Sequence, residues 1–110
     1  MHLKVDDSAK ASLLDIAVVG ISHKTACVET RENFSFPAEK TALFYDRLKE
    51  RGIREAVYVS TCNRVEVYIA APDISGAVNN TLDVLCEFSG VSCHDNQSVY
   101  RMLSHDAARH

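Results

Sequence analysis

The sequence predicts an α+β fold of the ferredoxin-like type, with the element order β-α-β-β-α-β. Short apolar runs of strand length occur near residues 14–21, 54–60 and 64–70. Between and after them lie two stretches with helical spacing, each following a proline and ending at a glycine. We therefore expect an antiparallel four-stranded sheet with two helices on one face.

The first half of the chain holds one strand and one helix of this pattern. Residues 14–21 form a short apolar run that is typical of a buried strand, and a polar loop follows at residues 22–26. Pro37 is a good first helical residue, and Gly52 is a good terminator. The sequence predicts a helix over residues 37–51, with an apolar stripe at Leu43, Phe44 and Leu48.

Two strands follow in direct succession, over residues 54–60 and 64–70. Alternation in the second of them separates two faces of the strand. One face carries Val65, Val67 and Ile69, and the other carries Arg64, Glu66 and Tyr68.

A second helix begins at Pro72 and ends at Gly90. Its apolar residues have helical spacing, at Ile74, Val78, Leu82 and Leu85. Near residues 98–103 the pattern fits either a strand or a helix face, and we favour a fourth strand. A further helix is expected from Asp106, which is a suitable N-cap.

Composition indicates one globular domain over residues 14–110, preceded by a flexible extension over residues 1–13. The chain has 110 residues, 46% of them hydrophobic and 25% charged. No apolar run reaches the roughly 20 residues of a membrane span, and no secretory signal is visible. Four cysteines without a secreted spacing pattern indicate free thiols and a cytoplasmic protein. A net charge of −3 and a pI near 5.9 argue against a domain that chiefly grips nucleic acid.

The predicted topology brings two polar segments together. With right-handed crossovers, strands one and two run in the same direction, with strand three between them. Their carboxyl ends therefore share one edge of the sheet. We expect the loop that contains His23 and Lys24 to lie beside the turn that contains Cys62.

Cys62 is the candidate nucleophile. It lies in a polar turn between two strands, although free cysteine is usually buried. A thiol near Arg64 and Lys24 is favoured as the thiolate, and Thr61 and Asn63 could bind a substrate or an oxyanion. The alternative is an ordinary hairpin in which Thr61 and Asn63 cap backbone groups.

Arg64 and Glu66 lie on the same side of their strand, and two interpretations are open for them. They could form a modest surface ion pair. Alternatively, Arg64 could stand at the mouth of a site and bind a carboxylate in a bidentate fashion.

Metal and nucleotide sites are poorly supported. Cys93, His94, His105 and His110 do not have zinc-ligand spacing. The four glycines cannot form a G-x-G-x-x-G or P-loop cradle. Cys27 and Cys86 are expected to be packed thiols.

Two motifs about forty residues apart carry a family resemblance. Residues 20–26 read Gly-Ile-Ser-His-Lys-Thr-Ala, and residues 60–64 read Ser-Thr-Cys-Asn-Arg. Together they resemble the N-terminal domain of glutamyl-tRNA reductases, and the similarity extends over about residues 16–110. The Arg31-Glu32 dipeptide and residues 106–110 fit as well. Cys27 stands where that family usually has proline.

The resemblance implies the chemistry of an NADPH-dependent oxidoreductase in tetrapyrrole synthesis. Cys62 would form a thioester with the glutamate of glutamyl-tRNA, and hydride from NADPH would reduce the thioester to glutamate-1-semialdehyde. His110 matches a family histidine that is important for activity. Thr61, Asn63 and Arg64 match substrate-binding positions, whereas His23, Lys24 and Glu66 would shape the pocket.

The resemblance also implies parts that this chain does not contain. The family's NADPH-binding and dimerisation domains are missing, so the fragment alone should not reduce anything. The whole enzyme would be a homodimer, with glutamate-1-semialdehyde aminomutase as its pathway partner and no metal cofactor. The alternative hypothesis is a small ferredoxin-like regulatory or ligand-binding module without catalysis.

Overall fold

The predicted α+β fold is confirmed by the computed structural model, which describes residues 14–92 and 99–103. Four strands form one antiparallel sheet in the order β2-β3-β1-β4, with helices packed on it. In chain order the elements are β1 (Asp15–Ser22), α1 (Val28–Glu32), α2 (Ala38–Glu50), β2 (Glu55–Ser60), β3 (Arg64–Ala71), α3 (Ile74–Ser89) and β4 (Tyr100–Leu103).

The two central strands pair along their whole length. In β1 and β3 the register runs from Asp15 opposite Ala71 to Ser22 opposite Arg64. On the outer side of β1, β4 pairs with it from Gly20 opposite Tyr100 to Ala17 opposite Leu103. The favoured strand near the end of the chain is therefore confirmed, and the helical alternative for those residues is wrong.

The two long helices have the predicted terminators. The helix α2 begins directly after Pro37 and is followed by Gly52, whose φ is 85°. The helix α3 begins after Asp73, whose carboxylate accepts a hydrogen bond from the Gly76 amide, and it ends at Gly90 in the left-handed conformation. The start predicted at Pro72 is thus two residues early, because Asp73 rather than the proline caps the helix.

The short helix α1 was not predicted. It has only five residues and none of them is buried. A single turn is too short to show the apolar periodicity by which helices are recognised in a sequence. It fills the connection between the loop after β1 and the aromatic segment that precedes α2.

The hydrophobic core lies between the long helices and one face of the sheet. The odd-numbered residues 65–69 of β3 point into it, as the alternation predicted, and the odd-numbered residues 17–21 of β1 join them. At one end the rings of Phe36, Phe44, Tyr58 and Phe88 pack with centroids 5.3–6.0 Å apart. Within residues 14–92 and 99–103, no helix is long and apolar enough to cross a membrane.

Candidate functional site

Cys62 lies at the tip of the hairpin that joins β2 to β3. The turn closes where the amide of Thr61 donates to the carbonyl oxygen of Arg64 over 2.8 Å. Cys62 and Asn63 are the two central residues of this turn, and both are exposed. The thiol is therefore presented to solvent, as the prediction from the sequence required.

The hydroxyl of Thr61 holds the shape of this turn. It accepts hydrogen bonds from the amides of Asn63 and Arg64, each at 3.2 Å, and donates to the carbonyl oxygen of Arg64 at 3.3 Å. A hydroxyl has one proton and two lone pairs, so these contacts use its full capacity. The side chain of Thr61 therefore caps backbone groups of the hairpin, as one of the two interpretations expected.

The loop after β1 lies beside the turn, as the topology predicted. The amide of His23 donates to the carbonyl oxygen of Asn63 over 2.8 Å. The loop is itself compact, because the Ser22 carbonyl accepts from the Thr25 and Ala26 amides, at 3.0 and 2.9 Å. The side chains of His23 and Lys24 are exposed at this edge.

Glu66 does not form the surface ion pair that was one of the two interpretations. Its side chain is 3% exposed, and its Oε2 lies 3.6 Å from Nη1 of Arg64, whose side chain is 39% exposed. Glu66 faces away from the core residues Val65 and Val67, on the side of the sheet that also carries Tyr68 and Tyr100. Only the arginine reaches solvent, so the pair is a buried carboxylate with a guanidinium at its rim.

Two tyrosine hydroxyls donate hydrogen bonds to the carboxylate of Glu66. Tyr68 donates to Oε1 over 2.8 Å, and Tyr100 donates to Oε2 through a short hydrogen bond. Burial raises the pKa of both tyrosines, and the adjacent carboxylate of Glu66 raises it further. Both hydroxyls therefore stay protonated and remain donors near neutral pH.

Tyr100 is a residue that the sequence analysis did not assign to the site. It pairs with Gly20 across β1 and β4, and Gly20 pairs with Glu66 across β1 and β3. Alternation in the fourth strand placed Tyr100 on the opposite side from Val99 and Arg101, which was the one available signal. The identity of its partner depended on strand order and register.

Two further cysteines in the described part of the chain, Cys27 and Cys86, differ in exposure. The prediction of a packed thiol is wrong for Cys27, which is exposed at the start of α1 because the short helix lies on the surface. Its Sγ lies 3.4 Å from the hydroxyl of Thr30, and hydrogen bonding to Thr30 lowers the pKa of this thiol. Cys86 is half-buried against the core, which confirms the prediction for that residue.

His110 and the residues weighed as zinc ligands lie outside the described part of the chain: Cys93, His94, His105 and His110. Among the residues that are described, no three His, Cys, Asp or Glu side chains form a group able to hold a metal ion. The last described strand, β4, starts beside Gly20 and runs away from the Cys62 edge to Leu103.

The fold and the site define a class of protein: a ferredoxin-like α+β domain with an exposed cysteine at a hairpin tip, beside a polar loop. A family model described as the N-terminal domain of glutamyl-tRNA(Glu) reductase matches residues 19–110. The chain belongs to this family, and it is a domain of the enzyme glutamyl-tRNA reductase.

Individual relatives agree with this assignment. The glutamyl-tRNA reductase of Synechococcus sp. (strain JA-3-3Ab) is 39% identical over 97 residues, which are 86% of this chain and 22% of the relative. That of Geobacter metallireducens is 45% identical over 80 residues, which are 72% of this chain and 18% of the relative. The solved glutamyl-tRNA reductase from Methanopyrus kandleri has a TM-score of 0.60 and 27% identity, and the match covers 86% of this chain and 20% of that one. The chain thus spans about a fifth of the length of these relatives.

Proposed function

We propose that Cys62 accepts the glutamyl group of glutamyl-tRNA as a thioester. The Cys62 Sγ–carbonyl bond would form, the ester C–O bond would break, and the thiol proton would pass to the departing ribose oxygen. The observation that carries this proposal is the exposed position of Cys62 at the hairpin tip, in a chain of the glutamyl-tRNA reductase family. An exposed tip allows the bulky end of a tRNA to reach the sulfur.

Arg64 is proposed to bind the side-chain carboxylate of the glutamyl group. It follows Cys62 by two residues, and its half-exposed guanidinium has five N–H donors. A planar guanidinium can bind a carboxylate in a bidentate fashion, which suits the side chain of a glutamyl group. This role would favour a glutamyl ester over a neutral analogue.

The remaining residues of the turn have different proposed roles. Asn63 would place its side-chain amide near the ester. Its backbone carbonyl oxygen accepts a hydrogen bond from the His23 amide, while the residue itself is exposed. Thr61 would act by keeping the turn in shape rather than by direct contact with the substrate. His23 and Lys24 would form the neighbouring wall of the pocket.

His110 is proposed as a residue that polarises the carbonyl or moves a proton. It lies seven residues beyond Leu103, which pairs with Ala17 at a distance of five residues from Ser22 along β1. Five residues of strand span about 17 Å, whereas seven extended residues reach about 24 Å. The seven residues after Leu103 are therefore longer, when fully extended, than this stretch of β1.

Reduction of the thioester requires a hydride donor, which in this family we take to be NADPH, and the product would be glutamate-1-semialdehyde for tetrapyrrole synthesis. The residues present do not fit that cofactor. The four glycines are isolated from one another in the sequence and cannot form a phosphate cradle. No step that involves NADPH is assigned to residues of this chain.

The test is acyl transfer to the protein. Glutamyl-tRNA with radiolabelled glutamate is mixed with the natural polypeptide that carries this sequence, without NADPH, and acid-stable label on Cys62 is located by peptide mapping. We expect Cys62→Ser to abolish thioester formation. Label that persists at an unchanged rate in this variant would contradict the assignment.

Cys27→Ser is the matched control, because among the described cysteines Cys27 is also exposed, and hydrogen bonding lowers its pKa. This variant should retain the thioester at Cys62. Simple alkylation by iodoacetamide is a weaker test, since it should label Cys27 as well. If neither thiol accepts glutamate, the alternative of a ligand-binding module without catalysis is favoured.

A further inference from the structure

The buried carboxylate of Glu66 is held in place by three elements of the fold. Glu66 belongs to β3, and its side chain lies against Gly20 of the neighbouring strand β1. From β4, on the other side of β1, the hydroxyl of Tyr100 donates a hydrogen bond to it. A Cβ atom on residue 20 would lie 2.8 Å from Cγ of Glu66, so only glycine leaves room for this side chain. The position of the carboxylate is therefore closely determined by its surroundings.

A buried carboxylate is stable only if hydrogen bonds and opposite charge replace its hydration. The two oxygens of Glu66 are served differently. Oε1 accepts from Tyr68, whereas Oε2 accepts from Tyr100 and faces Nη1 of Arg64 at 3.6 Å. The oxygen that Tyr100 holds is thus the same one that attracts the guanidinium.

A half-exposed arginine has many rotamers, and its placement depends on a fixed partner. One buried partner of Arg64 is Oε2 of Glu66, and the hydroxyl of Tyr100 donates a hydrogen bond to that same oxygen. Rotation of the carboxylate would move the anchor of Arg64, the residue that we assigned to the substrate carboxylate.

We propose that Tyr100 is a positioning residue that orients Arg64 through Glu66 and so sets the affinity and selectivity for the glutamyl side chain. This inference rests on the proposed function, and it adds a residue from β4 that lies 36 positions after Arg64. Tyr100 has no contact with the substrate in this proposal. It acts only through the orientation of the guanidinium.

The test compares Tyr100→Phe with the parent in single-turnover thioester formation, using the natural polypeptide and a range of glutamyl-tRNA concentrations. Phenylalanine keeps the ring and removes only the donor hydroxyl. Loss of one hydrogen bond to a charged group should raise the half-saturating concentration about tenfold, while the maximal rate stays within about twofold. Glutaminyl-tRNA carries a neutral side-chain amide in place of the glutamyl carboxylate. Discrimination against it should fall by a similar factor.

Tyr45→Phe is the matched control. It also removes one hydroxyl, which accepts a hydrogen bond from the backbone amide of Tyr58 over 2.7 Å. Tyr45 belongs to helix α2, so this hydroxyl is far from the strand face that carries Glu66. This variant should keep the parent's half-saturating concentration and its selectivity. It separates a general effect of a lost hydroxyl on the fold from an effect on Arg64.

The outcomes distinguish the two proposals. A parent that forms no thioester on Cys62 overturns the proposed function, whatever the tyrosine variants do. A parent that forms the thioester, together with a Tyr100→Phe variant of unchanged half-saturation and selectivity, overturns only the positioning role. A lower maximal rate at unchanged half-saturation also overturns it, because that result reflects a smaller folded fraction.

Discussion

Replacing Gly20 by alanine would place a methyl group between the two central strands. The added Cβ would lie 2.4 Å from the carbonyl oxygen of Val65 and 2.8 Å from Cγ of Glu66. Neither neighbour can give way easily. The Val65 carbonyl belongs to the backbone of the paired strand, and Glu66 is buried between Gly20 and two tyrosines.

The expected loss of stability follows from these two contacts. Overpacking in a well-packed interior costs about 1–3 kcal/mol, and a clash with backbone belongs at the upper end, at about 3 kcal/mol. Replacing glycine by alanine within a strand would otherwise stabilise the fold by roughly 0.5–1 kcal/mol. The net free energy of unfolding should therefore fall by about 2 kcal/mol.

Urea unfolding followed by circular dichroism measures this loss. With an m-value of about 1.5 kcal/mol/M, the midpoint should fall by about 1 M. Gly76→Ala is the control, because there the added Cβ would lie 2.6 Å from a terminal carboxylate oxygen of Asp73 rather than from backbone, and gained helix propensity offsets a weakened cap. Its midpoint should change by less than about 0.3 M. A Gly20→Ala midpoint equal to or above that of the parent would refute the argument from close approach.

Two further predictions concern a helix end and the buried tyrosines. Gly90 ends α3 with a φ of 75°, a conformation that alanine adopts only at a cost. Gly90→Ala should therefore lower the free energy of unfolding by about 1 kcal/mol in the same urea assay. An unchanged midpoint would contradict the argument that this backbone conformation requires glycine. The pKa of Tyr100 is raised by burial and by Glu66, so above pH 10 or so the unfolded chain loses the hydroxyl proton first and stability falls as the pH rises. Midpoints at pH 8 and 10.5 should therefore differ less in Tyr100→Phe than in the parent; an equal or steeper decline in the variant would show that Tyr100 does not contribute.

The strands, the two long helices and the exposed position of Cys62 in a turn could all be predicted from the sequence, because their signals are local. Alternation across Val65, Val67 and Ile69 indicated which face of β3 is buried, and glycine terminators marked the helix ends. The nearness of the His23 loop to the Cys62 turn also followed, since strand direction and right-handed crossovers determine which ends share an edge. The short helix α1 and the exposure of Cys27 could not be predicted, because a single turn has no periodicity.

The sequence by itself determined the antiparallel ferredoxin-like pattern and the presence of Cys62 in a polar turn between two strands. Only the tertiary structure decided the environment of Glu66, for which the sequence left open a surface ion pair with Arg64 or a place in the pocket. Its donor Tyr100 is 34 residues away in the chain, and the glycine that makes room for it is in the first strand. The physical reason is that burial of a charged side chain depends on which strands flank it and in what register, and neither is expressed in the residues beside it.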